Sequence, residues 1–119
     1  MDERDEYEVV RPRKRVELEL DLESDSPNVI CDALFSAAQH ESDWRWSQQQ
    51  CLRMLGHEST QVRSCALIAL GEIAQFQGQL DLTIVLPEMQ RFASDPVLGP
   101  NVEDAMLSIR AAGLAIRGA

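Results

Sequence analysis

The chain is poor in aromatic and basic residues. Aromatics make up 5% of its 119 residues, as two Trp, one Tyr and three Phe. That is thin for the core of a β-sandwich and for a surface that stacks nucleobases. Lys14 is its single lysine, and 11 basic residues face 20 acidic ones for a formal net charge of −9. Phosphate contact needs a basic face, so nucleic acid is an unsuitable partner. An anionic membrane surface is unsuitable for the same reason. The chain has no apolar run of the roughly 18 residues that a membrane-spanning helix requires. The opening Met1-Asp2-Glu3-Arg4-Asp5-Glu6 is acidic with no apolar stretch behind it, so a secretion signal is not expected. The cysteines, Cys31, Cys51 and Cys65, are odd in number and sit in apolar stretches. Three reduced thiols packed as small hydrophobes in a cytoplasmic protein are the expectation. A hydrophobic fraction of 45% with 26% charge suits one soluble globular domain. At this length a chain buries roughly two-thirds of its unfolded surface, enough for a core without metal or disulfide staples.

Two segments differ in composition. Residues 1–25 form a charged arm holding ten of the acids and five of the bases. Within it, Val16, Leu18, Leu20 and Leu22 alternate with Glu17, Glu19, Asp21 and Glu23. A period of two marks a strand with one buried face, and Tyr7-Glu8-Val9-Val10 is its candidate hairpin partner across Pro12. A lone hairpin is marginal in water, and this density of charge suits an extended solvated tail equally well.

Residues 26–119 read as helices. Ser26-Pro27 supplies a cap and a first-turn proline, followed by Val29, Ile30, Ala33, Leu34 and Ala37 on one face. Ser42-Asp43 opens a second helix carrying Trp44, Trp46, Cys51, Leu52 and Leu55, stopped by Gly56. Ser59-Thr60 opens a third, with Val62, Cys65, Ala66, Ala69, Leu70, Ile73 and Phe76 inward and Gly78 at its end. A fourth spans about 82–93 and contains Pro87, which is expected to kink or split it. After a connector of Asp95-Pro96 and Gly99-Pro100, a fifth spans about 101–115.

Three of these helices share a repeat of 36 residues. Ile30, Ala66 and Val102 correspond, as do Ala33, Ala69 and Ala105, and then Ala37, Ile73 and Ile109. The spacing predicts an all-α stack of about five helices in antiparallel pairs, with small residues admitting close neighbours.

The residues Ser59-Thr60-Gln61-Val62-Arg63, then Ala66 and Ala69-Leu70-Gly71-Glu72-Ile73, resemble the second helix of a HEAT repeat. In that family the arginine at the position of Arg63 ties neighbouring turns together. The copy at 102–109 lacks the Val-Arg pair and looks like a degenerate capping repeat. Asp32-Ala33-Leu34-Phe35-Ser36-Ala37-Ala38 and Asp43-Trp44-Arg45-Trp46, with Gln50-Cys51-Leu52-Arg53, Gly78-Gln79-Leu80-Asp81-Leu82, Asp95-Pro96 and Val102-Glu103-Asp104-Ala105, resemble a group of small bacterial HEAT-like proteins. Members of that group look like immunity proteins of polymorphic toxin systems, including contact-dependent growth inhibition. The resemblance covers about residues 30–110 and leaves the arm out. It implies a protein that binds and occludes a cognate toxin domain.

No catalytic constellation is visible. No two cysteines have zinc-knuckle spacing. His57-Glu58 opens like a zinc-protease helix, but Gln61 stands where a histidine is needed. The isolated glycines make no phosphate loop, and adjacent Glu103 and Asp104 diverge on a helix. The expectation is a non-enzyme without metal, cofactor or small-molecule substrate. An acidic surface associates rapidly with a basic partner such as a nuclease, although acidity also serves solubility alone. The stack predicts a polar inner face carrying Gln61, Ser64, Glu72 and Gln75, with Asp32, Glu103 and Asp104 on equivalent helices. Glu41, Asp43 and Glu58 sit at the turns. Trp44 and Trp46, two apart, diverge on a helix, and Trp44 is a candidate anchor. Together these eleven polar, acidic and aromatic residues are the candidate partner-binding set. A helical-repeat adaptor or a regulatory subunit with another protein partner is the alternative.

Overall fold

The computed structural model describes residues 10–114. The chain is all-α. Among the described residues six helices follow in order: α1 (Arg15–Leu22), α2 (Pro27–His40), α3 (Trp44–Met54), α4 (Thr60–Gln77), α5 (Leu82–Gln90) and α6 (Gly99–Ala111). Tyr7, Glu8 and Val9, the expected hairpin partner, lie outside the described residues, as does Ala115 at the expected end of the last helix.

The expected strand at Val16–Glu23 is a helix, which makes six helices where five were expected. In a helix the alternating apolar residues split into two pairs spaced by four. Leu18 and Leu22 are buried, whereas Val16 and Leu20 are 67% and 74% exposed on the other side. Local bonds favour this outcome. The Lys14 N–H donates to Glu17 Oε1 at 2.9 Å, and Arg13 pairs with Asp21 at 2.9 Å. Leu, Glu and Arg are all strong helix formers. Leu18 and Leu22 join the same buried cluster as the apolar residues of α2, α4 and α6.

The other helix starts follow their caps. Ser26, Asp43 and Ser59 each accept a backbone N–H from the third residue onward, and Gly78 ends α4 in the left-handed conformation at φ 68°. Glycine reaches that region at no steric cost. Pro87 does not divide α5, which runs unbroken through Gln90. Pro87 and Thr83, whose carbonyl loses its partner, both lie on the exposed side. The last helix starts two residues early, at Gly99. Asp95 accepts the N–H groups of Val97 and Leu98 at 2.8 and 2.9 Å, so Gly99 and Pro100 become its first turn instead of a connector.

The repeat is visible in the packing. Ile30, Ala66 and Val102 are buried, as are Ala33, Ala69 and Ala105 and likewise Ala37, Ile73 and Ile109. α2, α4 and α6 lie side by side and parallel. Gln61 bonds Asn28 near the starts of α4 and α2, while Glu72 accepts from Gln39 further along both. Ser64 bonds Asn101 at the start of α6. A Cβ added at Gly71 would lie 3.1 Å from the Ala105 Cα, so α4 and α6 nearly touch there. α1 packs on α2, and α3 packs on α2 and α4. α5 sends Val85 and Met89 into the same core. Gln48, buried on α3, accepts the Asp81 N–H at 2.8 Å and fixes the start of α5. The molecule measures 46 × 32 × 28 Å.

Two expectations about packing are corrected. Cys31 and Cys65 are not separate thiols. They face each other from α2 and α4 as a disulfide pair with Cα atoms 5.6 Å apart, leaving Cys51 as the free, buried cysteine. Phe76, expected inward, is 53% exposed. It sits in the last turn of α4, beyond the level of Glu72 where α2 is already close to its end at His40.

Candidate partner-binding face

The outer side of the α2–α4–α6 layer is a surface built from three helices. Along α4, positions 61, 64, 65, 68, 72 and 75 recur at helical spacing and remain at least partly exposed. The same side of α2 carries Asn28, Asp32 and Gln39, and that of α6 carries Asn101, Asp104 and Ser108. Three polar bridges hold the layer's surface in register: Asn28 to Gln61 at 2.6 Å, Gln39 to Glu72 at 3.3 Å, and Ser64 to Asn101 at 2.9 Å.

Between α4 and α6 this surface sinks into a groove of about 280 Å³, lined by Ile68, Glu72, Gln75, Asn101, Asp104 and Ser108. Its depth follows from Gly71 and Ala105, whose lack of bulk brings the two backbones together beneath it. The lining holds two carboxylates and no basic side chain. Glu72 is half-buried. Burial pushes its carboxyl above the ordinary carboxylate range, and the hydrogen bond from Gln39 only partly opposes that. A carboxylate so placed gains from a cation that enters the groove. Chemically the groove suits an arginine or lysine side chain, with Ile68 against its aliphatic stem.

The candidate residues fall into three places. Gln61, Ser64, Glu72, Gln75 and Asp104 come together on this face, with Asp32 exposed on α2 at its edge. Glu103 diverges from Asp104 and lines a separate groove with Met106 and Arg110 against α5. The turn residues lie elsewhere. Arg15 of α1 donates to Glu41 and to Asp43, each at 3.2 Å, and its guanidinium covers the Trp46 ring at 4.1 Å. Asp43 also caps α3 by accepting the Trp46 N–H, the main cause of its carboxyl lying below the usual range. Trp44 and Trp46 are both half-buried, and Arg45 lies over Trp44 at 4.5 Å. Glu58 is exposed in the α3–α4 turn, where Arg63 donates to the carbonyls of His57 and Glu58 at 2.7 and 3.1 Å.

Sequence reasoning missed Asn28, Gln39, Asn101 and Ser108, which complete the face. Their signal is faint: each is a polar residue beside an apolar stripe, and Asn28, Gln39 and Asn101 find their partners at separations of 33, 33 and 37, close to but not equal to the repeat length.

No family model and no curated protein matches the sequence. Among solved structures, a chain of the crystal structure of a CDI complex from Cupriavidus taiwanensis LMG 19424 shares the fold, with a TM-score of 0.79. The alignment covers 88% of this chain and 95% of that one at 23% identity. At this identity the likeness is one of fold. It spans almost the whole described chain, so the arrangement of helices as a unit is shared. Among the described residues no helix is long and apolar enough to cross a membrane.

Proposed function

We propose that this protein is an immunity protein that binds a basic, nuclease-type toxin domain and blocks it by occlusion, without chemistry of its own. The observation that carries this reading is the shared fold with a chain from a CDI complex. The resemblance of residues 30–110 to HEAT-like immunity proteins supports it independently. The surface chemistry agrees. A groove lined by both Glu72 and Asp104, on a chain of net charge −9, attracts the cationic residues with which a nuclease grips phosphate. Glu41 and Asp43 serve a different purpose in this reading: they anchor α1, and their charge reaches a partner only as long-range field.

Rescue is the direct test. Neighbouring toxin domains are expressed in a sensitive cell with and without this protein, and the rescued pair is checked for a soluble complex. Rescue with a stable complex is expected. Failure against the domain encoded next to it would overturn the reading in favour of an adaptor. The face is tested by replacing Glu72 and Asp104 with lysine together. Association should slow by about tenfold at low salt, and the difference should shrink as salt is added. Unchanged association at low salt would move the interface elsewhere.

A further inference from the structure

Cys31 and Cys65 lie on the α2–α4 seam, one turn past the Asn28–Gln61 bridge and before the Gln39–Glu72 bridge. Their Cα atoms are 5.6 Å apart, at the preferred span of a disulfide. The two sulfurs differ in access. Cys31 is 4% exposed, whereas Cys65 is half-buried beside Ser64 and Ile68 on the outer face. The reduced state is accommodated as well. As a thiol, Cys31 has the Gln61 carbonyl 3.7 Å from its sulfur, so its S–H is not stranded when the bond opens. The third cysteine stands apart. Cys51 is buried, and desolvation pushes its thiol far above the usual range, which keeps it protonated and inert.

We infer that Cys31 and Cys65 form a reversible dithiol–disulfide site that exchanges with small-molecule disulfides such as oxidised glutathione. The Cys65 thiolate attacks one sulfur of the oxidant, forming a mixed disulfide and releasing one glutathione thiolate. The Cys31 thiolate then attacks the Cys65 sulfur, closing the protein disulfide and releasing the second glutathione. The two cysteine sulfurs lose two electrons and two protons, and one oxidised glutathione becomes two reduced ones. An excess of reduced dithiol reverses both steps. Closure ties α2 to α4 across 34 positions of sequence, which raises stability by restricting the unfolded chain. The site stands whether or not the partner is a toxin.

The test uses the full chain, reduced and then incubated with oxidised glutathione at mildly alkaline pH. Intact mass should fall by two hydrogens, with one alkylatable thiol left under denaturing conditions and mapped to Cys51. Dithiothreitol should restore all three thiols. The melting temperature of the oxidised form should exceed that of the reduced form by about 10 °C. Cys31→Ser should trap a single glutathione on Cys65. Three thiols persisting in excess oxidant would overturn the inference. So would a bond that includes Cys51, or identical melting of the two forms.

Discussion

Glu72 and Asp95 show how one side-chain type serves opposite ends. Asp95 is held below the ordinary range by the N–H of Leu98 first and of Val97 second, so its charged form belongs to the fold. Its contribution is present above the ordinary value of 3.8 and is lost as pH falls through the lower folded value. Asp95→Ala should therefore lower the urea midpoint at pH 7, and the gap to the parent should close in strong acid. Glu72 has the reverse sign. Its folded value is raised, so its charge opposes folding above 4.5 and the penalty fades as pH falls. Glu72→Gln should leave the fold as stable or raise melting by about 2 °C at pH 7, with no gain near pH 4. The same substitution should weaken partner binding, because a charge kept at a cost to stability is one a cationic partner recovers. A clear drop in melting at pH 7 would show that Glu72 is structural.

At the scale of elements, the α4–α6 contact decides the shape of the candidate face. α4 and α6 approach through Gly71, where an added Cβ would meet the Ala105 Cα at 3.1 Å and the Ser108 Cβ at 3.3 Å. Alanine gains about 1 kcal/mol of helix propensity over glycine, but overpacking against a backbone atom costs about 1–3 kcal/mol. Gly71→Ala should be net destabilising by about 1 kcal/mol in urea unfolding, and it should weaken binding in the groove above it. A stabilised variant would mean that the two helices separate freely. α1 is attached differently. Leu18 and Leu22 bury its inner side, while Arg15 bridges to Glu41, Asp43 and the Trp46 ring. Partly exposed pairs of this kind contribute modestly. Arg15→Ala should speed amide exchange in α1 by about fivefold while leaving α4 protected. Equal acceleration in both helices would show that α1 unfolds only with the whole.

The whole molecule is a layered, one-piece helical body with an acid excess. Its charge acts over roughly a Debye length, about 8 Å at physiological salt, so groups away from the groove still steer a basic partner. Association with such a partner should fall steeply as salt rises, with dissociation changing far less. An association rate indifferent to salt would assign the acidity to solubility alone. Shape adds to charge here. The parallel layer of α2, α4 and α6 offers side chains from three helices at fixed spacing, which a single helix cannot do.

Periodicity and caps determined much of this protein unaided. The repeat placed Ile30, Ala66 and Val102 in one core, and Ser26, Asp43, Ser59 and Gly78 marked helix ends, because both signals are local and the chain carries them wherever it folds. Glu72 and Asp104 were legible as acids on repeat helices for the same reason, although the half-burial of Glu72 was not. The arm was not legible, since Val16, Leu18, Leu20 and Leu22 satisfy a strand and a helix equally. Packing of Leu18 and Leu22 against α2 and the Arg15 bridge, together with the local Lys14–Glu17 and Arg13–Asp21 bonds, separates the two. The Cys31–Cys65 pair was hidden because three cysteines carry no record of which helices will be neighbours. The groove was hidden for a related reason: it exists only where Gly71 and Ala105, distant in sequence, let two backbones meet. Contacts between residues far apart in the chain belong to the tertiary structure, because they depend on how the helices pack together.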